Sequence, residues 1–324
     1  MESPTKTKSF LLVGTVILTV LTLCSFFVGK YPLTLSGLLS GDAMQWRVFL
    51  TLRASRAVIG AIGGFVLGVT GFVYQTVFRN PLASPDIIGA SSGASVGAAF
   101  GILFLPGAVA ITLSAFAGAI CCVLLALTLS SLTAEKDGKS IVLSGIAVHS
   151  LAQTALVCLK LLADPEKQLA SIEYWIMGSL AGVTASKIPF PVVIILFSSA
   201  VIFLLHRHIL ALSVQEDEAR MLGVSVQKTR FFVLFLATLT VAAAVSVTGL
   251  ISFIGLLAPH TARLLTGHNR RSSCLLSGII GSVLLLTADV LAKSLTAVEL
   301  PVSIFTSLLG APFLIYLILA ERRI

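Results

Sequence analysis

Long apolar runs dominate this sequence and constrain its fold more than any other feature. Ten such runs lie between polar segments, at residues 10–28, 57–77, 86–104, 108–131, 141–162, 189–206, 230–249, 251–265, 274–293 and 302–319. A helix needs about 20 apolar residues to cross the hydrocarbon core of a membrane. The runs are continuous and do not alternate over about 10 residues, which excludes a transmembrane β-barrel. The sequence therefore predicts an all-α polytopic membrane protein with about ten transmembrane helices. The third and eighth runs are short or rich in glycine.

The composition excludes the soluble classes of protein. Only 11% of the 324 residues are charged and 56% are hydrophobic, whereas a soluble domain carries about 25% charged residues. A soluble enzyme, a disordered chain and a coiled coil are all excluded on this ground. The five cysteines lie in or beside the apolar runs without a C-x-x-C pair, and we interpret them as small buried hydrophobes.

The basic residues predict how the chain is oriented in the membrane. Cytoplasmic loops carry an excess of lysine and arginine. With the N-terminus inside, fourteen of the 22 basic residues fall on the cytoplasmic side, and both termini are then cytoplasmic. The net charge of +8 is thereby attributed to cytoplasmic loops, and no nucleic-acid partner is predicted. The apolar run that follows Lys6 and Lys8 is interpreted as an uncleaved first helix.

A single transmembrane domain is predicted over residues 1–324, with two larger segments outside the membrane. One is cytoplasmic, at residues 207–230, and its part from Glu216 to Arg230 is expected to form one or two short amphipathic helices. The other is external and helical, at residues 163–187. Small residues let helix backbones approach closely inside a bundle. A glycine-rich run is therefore predicted to form a central, tightly packed helix, and its glycines are Gly60, Gly63, Gly64, Gly68 and Gly71.

Two groups of ionisable residues stand out. Asp289 and Lys293 lie four residues apart on one predicted helix, where an i,i+4 ion pair lowers the cost of both charges. We favour such a pair near the outer membrane boundary over a coupling-ion site. Arg53 and Arg56 lie three apart before the glycine-rich helix, on the external side. They suit carboxylates of a soluble partner or an anionic ligand, and the alternative is a solvated helix start.

Catalytic and metal-binding motifs are missing from the sequence. The stretch at residues 133–140 ends in Gly138, Lys139 and Ser140 as a P-loop does, but it has Thr133 in place of the first glycine. Neither H-E-x-x-H nor G-x-S-x-G occurs. We therefore predict a chain that is not an enzyme, that holds no metal or cofactor, and that depends on another chain for any ATP hydrolysis. An intramembrane enzyme is a further alternative, but nothing in the sequence supplies its nucleophile.

Short strings follow one another in a specific order along nearly the whole chain. They are Arg53-Ala-Ser-Arg56, Gln75, Arg79-Asn80-Pro81-Leu82-Ala83-Ser84-Pro85, Gly89 with Gly93-Ala94, Trp175-Ile-Met-Gly178-Ser179-Leu180, Ala219-Arg220-Met221-Leu222-Gly223-Val224, Ile251-Ser-Phe-Ile-Gly-Leu-Leu-Ala-Pro259-His260 with Arg263, Asp289, Glu299-Leu300-Pro301 and Gly310-Ala311-Pro312. Together they resemble the permease subunits of ATP-binding-cassette (ABC) importers for ferric siderophores, haem and cobalamin.

The resemblance implies a fold, an assembly and a location. The fold is the ten-helix permease fold of type II ABC importers. The assembly contains two permease subunits, either two copies or two paralogues, and two cytoplasmic ATPase subunits that carry ATP and Mg²⁺. An external substrate-binding protein delivers the cargo. The location is a bacterial inner or plasma membrane, with lipid around the subunits.

The resemblance also implies roles for individual residues. The residues expected to dock the binding protein are Arg53, Arg56 and Lys293. The residues expected to couple to the ATPase are Glu218, Ala219, Arg220, Met221, Leu222 and Gly223. The residues expected to gate the pathway are Asn80, Pro81 and Leu82 on one segment and Gly138 and Lys139 on another. The chain departs from the family at Ser55, where proline is usual, and at Lys293, where arginine is commoner.

A ferric siderophore is the cargo that the resemblance favours. Two strings look most like siderophore permeases, namely Ser84-Pro85-Asp86 and Gly223-Val224-Ser225-Val226. Haem and cobalamin are the alternative cargoes. A secondary transporter that uses Asp289 to couple an ion gradient is the alternative from a different class.

Overall fold

The chain forms a helical bundle in a computed structural model that describes residues 4–133, 138–267, 269–295 and 298–321. No strand occurs within these ranges. The α-helices are α1 (Pro4–Phe27), α2 (Leu35–Leu39), α3 (Ala43–Val48), α4 (Ser55–Val77), α5 (Ala90–Phe104), α6 (Ala108–Leu132), α7 (Gly138–Leu162), α8 (Gln168–Ile176), α9 (Pro189–Leu204), α10 (His206–Ala211), α11 (Glu216–Met221), α12 (Val226–Thr248), α13 (Ile254–Thr266), α14 (Arg271–Ser294) and α15 (Val302–Glu321). A π-helix at Phe49–Ala54 joins α3 to α4, and 3-10 turns lie at Pro85–Ile88 and Ala185–Lys187.

The ten predicted runs coincide with helices to within a few residues, as α1, α4 to α7, α9 and α12 to α15. Among the described residues, six helical stretches are long and apolar enough to cross a membrane: Lys6–Phe27, Ala43–Val77, Ala108–Leu132, Gly138–Leu162, Val226–Thr248 and Arg271–Ser294. Helices α5, α9 and α15 are shorter apolar helices, and α13 is shorter still, with Pro259 inside it. The prediction of an all-α polytopic membrane protein is confirmed.

The second membrane helix begins earlier than the sequence predicted. Its start was expected at residue 57, but the helical path runs without a break from Ala43 to Val77, over 35 residues. Asp42 caps this start by accepting hydrogen bonds from the backbone N–H groups of Met44 and Gln45, which hold the pKa of Asp42 below its usual value. The π-helix then carries the chain into α4. Arg53 therefore lies within a continuous helix, and the expected helix start beside the arginines is wrong.

Glycines bring α4 and α14 into backbone contact at the centre of the bundle. A Cβ atom at Gly64 would lie 2.4 Å from the carbonyl oxygen of Gly281, and one at Gly68 would lie 2.2 Å from that of Ser277. The Ser277 hydroxyl donates a 2.7 Å hydrogen bond to the Gly68 carbonyl, which is possible only at this close approach. The predicted central, tightly packed helix is confirmed.

The segment that follows α8 is bonded to two membrane helices. The backbone N–H of Ser179 donates to the carbonyl of Thr248 at the end of α12, at 2.8 Å. The N–H of Val302, the first residue of α15, donates to the Gly178 carbonyl at 3.0 Å. Gly178 has a φ of 70°, and a Cβ there would lie 1.9 Å from the carbonyl oxygen of Leu250. The position of α8 is thus tied to the neighbouring ends of α12 and α15.

Candidate functional site

Four charged side chains form a connected ion cluster at the end of the bundle that carries α8. Arg56 donates from Nε to Asp289 Oδ1 and from Nη1 to Glu299 Oε2, both at 2.7 Å. The Lys293 Nζ lies 2.6 Å from Asp289 Oδ2 and donates to Ser25 Oγ at 3.0 Å. We call Arg56, Asp289, Lys293 and Glu299 the ion cluster. It joins α4, α14 and the loop between α14 and α15, and Ser25 adds α1.

The ion cluster is buried and its charges balance. Asp289 is fully buried, Lys293 is 4% exposed and Arg56 is 8% exposed, while the Glu299 side chain keeps 26% of its surface. Buried charges persist in a protein only when they are paired and hydrogen-bonded. The predicted i,i+4 pair of Asp289 and Lys293 is present. It lies inside the bundle as part of a larger cluster, which the sequence did not predict.

Arg53 binds backbone carbonyls instead of carboxylates. Its Nη1 donates to the Val28 carbonyl, and its Nη2 donates to the Tyr31 carbonyl at 3.2 Å. The side chain is buried and ties the chain that follows α1 to the second membrane helix. The alternative of a solvated helix start is therefore wrong for Arg53 and for Arg56. Both arginines are engaged within the chain, and their role in docking a binding protein stays a prediction, as does that of Lys293.

Sequence reasoning missed two partners in this region, Glu299 and Ser25. Glu299 lies 243 positions from Arg56, and Ser25 lies 268 positions from Lys293. No helical spacing can connect residues so far apart in the chain. The available signal was the position of Glu299 in the string Glu299-Leu300-Pro301, since a carboxylate next to predicted external cations is a natural partner for them.

An exposed apolar tip marks the opposite end of the bundle, within the predicted coupling segment. Ala219 is buried in the core, whereas Met221 and Leu222 are 80% and 69% exposed. These two large apolar side chains sit at the end of α11. Such side chains gain free energy when a partner covers them.

A capped turn holds this tip in place. The N–H of Gly223 donates to the Arg220 carbonyl at 2.9 Å, and the N–H of Val224 donates to the Ala219 carbonyl at 3.1 Å. With Gly223 at a φ of 78°, this is a Schellman motif, which ends α11 sharply. Glu218 and the other acidic residues of α11 lie in its first turn.

An ion pair fixes α11 against α12. The Arg230 Nη2 lies 2.6 Å from Glu216 Oε1, and the Arg230 side chain is buried. Arg220 makes longer contacts of 3.8 Å to Glu216 and 3.7 Å to Asp217, on a more exposed surface. The predicted segment at residues 207–230 therefore contains two short helices, α10 and α11, followed by the start of α12.

Residues from both predicted gate segments border one cavity near this tip. Asn80 on one segment and Gly138 and Lys139 on the other border a cavity of about 740 Å³, together with Glu216 and Arg230. The loop at residues 133–140 is described except for residues 134–137, which lie outside the described residues. The structure thus brings the gate segments together and places them beside α11.

Local hydrogen bonds shape the first gate segment. The Asn80 Oδ1 accepts the backbone N–H of Leu82 at 2.9 Å, and Pro81 lies between them in the turn. Leu82 and Pro81 are exposed but do not border the cavity. Their role in gating stays a prediction.

Other polar side chains inside the bundle bind one another. Arg263 donates to Gln75 Oε1 and lies 5.2 Å above the ring of Phe72, while Gln75 Nε2 donates to the Leu256 carbonyl at 3.2 Å. Within the described residues, no group of three or more His, Cys, Asp or Glu side chains could hold a metal ion.

The chain is similar over most of its length to a known transport family and to named permeases. The model of the FecCD transport family matches residues 17–320. The chain is 37% identical to the cobalamin import system permease of Halobacterium salinarum, over 85% of this chain and 73% of that protein. It is 35% identical to the hemin transport system permease of Yersinia pestis, over 95% and 94% of the two chains.

Two further matches concern iron and metal chelates. A protein of Helicobacter pylori (strain 26695), named as a probable iron chelatin transport system permease, is 35% identical over 86% of this chain and 84% of its own. A solved metal-chelate type ABC transporter in an inward-facing conformation superposes with a TM-score of 0.88 and 31% identity, and the match covers 97% of this chain and 99% of the other. The match spans nearly every helix described above, so this chain belongs to the FecCD transport family.

Proposed function

We propose that this chain is the permease subunit of an ATP-driven importer that moves a ferric siderophore, or a related iron chelate, from an external binding protein into the cytoplasm. The observation that carries the proposal is the match to a metal-chelate type ABC transporter along 97% of the chain. Haem and cobalamin are the alternative cargoes, because relatives of similar identity are named for them.

The exposed apolar tip supports the proposed ATPase partner. Met221 and Leu222 are held outward by the Schellman motif and by the ion pair of Arg230 with Glu216. A rigid apolar projection of this kind fits a groove in a soluble partner. In this proposal ATP and Mg²⁺ bind to the ATPase subunits, this chain catalyses nothing, and α11 passes the closing movement of the ATPases to the gate cavity beside it.

An exposed polar stripe on α7 supports a second permease subunit. His149, Ser150, Gln153 and Thr154 are exposed in the isolated chain, in the middle of an otherwise apolar membrane helix. Lipid cannot form hydrogen bonds with the imidazole of His149 or the amide of Gln153. We therefore place α7 against the second permease subunit, where the stripe borders the path of the cargo.

The charges of the ion cluster argue against the ion-coupled alternative. A gradient-driven transporter would need Asp289 to bind and release a proton or Na⁺. Asp289 is fully buried between Arg56 and Lys293, with both its oxygens within 2.7 Å of a cationic nitrogen. Two adjacent cations repel a third, so this carboxylate serves a structural purpose.

Copurification tests the proposed assembly. We expect a tagged chain, purified in mild detergent from the membranes of its source, to bring with it an ATPase subunit and a second permease. In the proposed orientation both termini lie in the cytoplasm and the membrane is the bacterial inner or plasma membrane. A chain that purifies alone and drives gradient-dependent uptake in liposomes would contradict the proposal.

A further inference from the structure

Glu299 holds Arg56 by a single hydrogen bond. The contact runs from Nη1 to one carboxylate oxygen at 2.7 Å. The Nη2 of Arg56 is buried and has no hydrogen-bond partner among the described residues. A guanidinium group presents Nη1 and Nη2 as two parallel donors that match the two oxygens of a carboxylate. Glu299 therefore uses only half of the edge that a bidentate carboxylate would use.

The two carboxylates on Arg56 differ in how firmly they are held. Asp289 is fully buried within α14 and also binds Lys293. Glu299 lies in the loop between α14 and α15, and its side chain is 26% exposed. Water can reach the exposed part of Glu299 and replace its contact with Arg56, whereas a buried carboxylate with two cations does not leave without a large cost. Glu299 is thus the exchangeable partner.

We propose that Glu299 pairs with Arg56 and covers it in the free permease, and that a carboxylate of the external binding protein displaces Glu299 when it docks on the same edge of the guanidinium group. This inference rests on the proposed function. The incoming carboxylate gains a second hydrogen bond, from Nη2, that Glu299 does not make. The exchange keeps the charge of the cluster balanced, so Asp289 and Lys293 stay paired throughout.

Displacement of Glu299 has a mechanical consequence, because the start of α15, three residues further along the chain, is hydrogen-bonded to the residues that follow α8. The N–H of Val302 donates to the Gly178 carbonyl at 3.0 Å, and the Ser303 hydroxyl donates to the Met177 carbonyl. An outward movement of the loop pulls on these bonds. Docking of the binding protein would thereby move α8, at the external end of the bundle, through the start of α15 and its hydrogen bonds.

The first test measures how well Glu299 covers Arg56, and it needs no binding protein. The purified complex is treated with phenylglyoxal, which modifies arginine, and the modification of Arg56 is quantified by mass spectrometry. We expect Glu299→Ala to raise the modification several-fold. Glu173→Ala is the matched control, since Glu173 pairs with Lys160 at 2.9 Å and its loss removes the same charge from the same end of the bundle. Equal modification of Arg56 in the wild type and in Glu299→Ala would overturn the proposal.

The second test measures docking itself. The probe is the external substrate-binding protein of the proposed importer, labelled with a fluorophore and titrated onto the permease complex in nanodiscs. We expect Glu299→Ala to tighten binding by about fivefold or more, the usual lower range for coupled sites, and Glu173→Ala to leave it unchanged. Unchanged affinity in Glu299→Ala, or equal tightening in both variants, would overturn the proposal.

Misfolding of the variant and a failure of the wild type to bind the binding protein can each be told apart from a failure of the proposal. If Glu299→Ala lowers the yield of folded complex, Glu299→Gln takes its place, because it keeps the shape of the side chain and removes only the charge. If the wild type binds no binding protein at all, the proposed docking function fails, while the modification of Arg56 still reports whether Glu299 covers it.

Discussion

Loss of the Asp289 carboxylate should strongly destabilise the fold, because Asp289 contacts both cations of the ion cluster. Its two oxygens lie 2.7 Å from Arg56 Nε and 2.6 Å from Lys293 Nζ, and it is fully buried. In Asp289→Asn, Arg56 still pairs with Glu299, whereas Lys293 loses its carboxylate partner. Removal of one partner from a buried ion pair costs about 3–5 kcal/mol, mainly because the remaining charge stays buried without compensation. We expect a loss of this size in the free energy of unfolding.

A double variant separates charge balance from packing. In Asp289→Leu with Lys293→Met, both charges of the i,i+4 pair are replaced by apolar side chains of similar length, and Arg56 still pairs with Glu299. Replacement of a whole buried pair is often neutral or stabilising. We therefore expect the double variant to be clearly more stable than Asp289→Asn.

Unfolding in detergent, followed by circular dichroism across a denaturant titration, measures these differences. We expect the wild type and the double variant to unfold at higher denaturant concentrations than Asp289→Asn. If Asp289→Asn unfolds at the same denaturant concentration as the wild type, the ion cluster does not hold the helices together, and the reasoning from buried charge is wrong.

Two further predictions concern the tip and the glycine contact. Leu222→Asp should abolish copurification of the ATPase and ATP-driven uptake, because it places a charge in an apolar contact; intact copurification would remove the coupling role, and Leu222→Met serves as the control. Gly64→Ala should destabilise the chain by about 1–3 kcal/mol, since its Cβ would lie 2.4 Å from a backbone oxygen of Gly281. Gly63→Ala, whose Cβ would meet only Leu285 at an ordinary 3.7 Å, should have little effect in the same unfolding assay.

Local patterns predicted most of the fold. The membrane helices follow from apolar runs of sufficient length, and the central position of α4 follows from its glycines, because both properties are written in consecutive residues. The break between α11 and α12 was also predictable, since Gly223 supplies the left-handed conformation that ends a helix.

Tertiary contacts account for what the sequence did not predict. The partner of Arg56 in the loop before α15 is separated from it by 243 positions, so no periodicity reveals it. The early start of the second membrane helix depends on the cap at Asp42 and on the π-helix at Phe49–Ala54, which continues the helix where the polar arginines suggested a boundary. The burial of Arg53 follows from carbonyls after α1 that only the folded chain brings near.

Transport by the reconstituted complex distinguishes an ABC importer permease from an ion-coupled transporter. The purified complex is placed in liposomes with its ATPase subunits, and uptake of a radioactive ferric siderophore is measured with its binding protein present. We expect uptake that requires both ATP and the binding protein and that persists when proton and sodium gradients are collapsed. Uptake that follows an ion gradient and proceeds without ATP would contradict the assignment of this chain as an ABC importer permease.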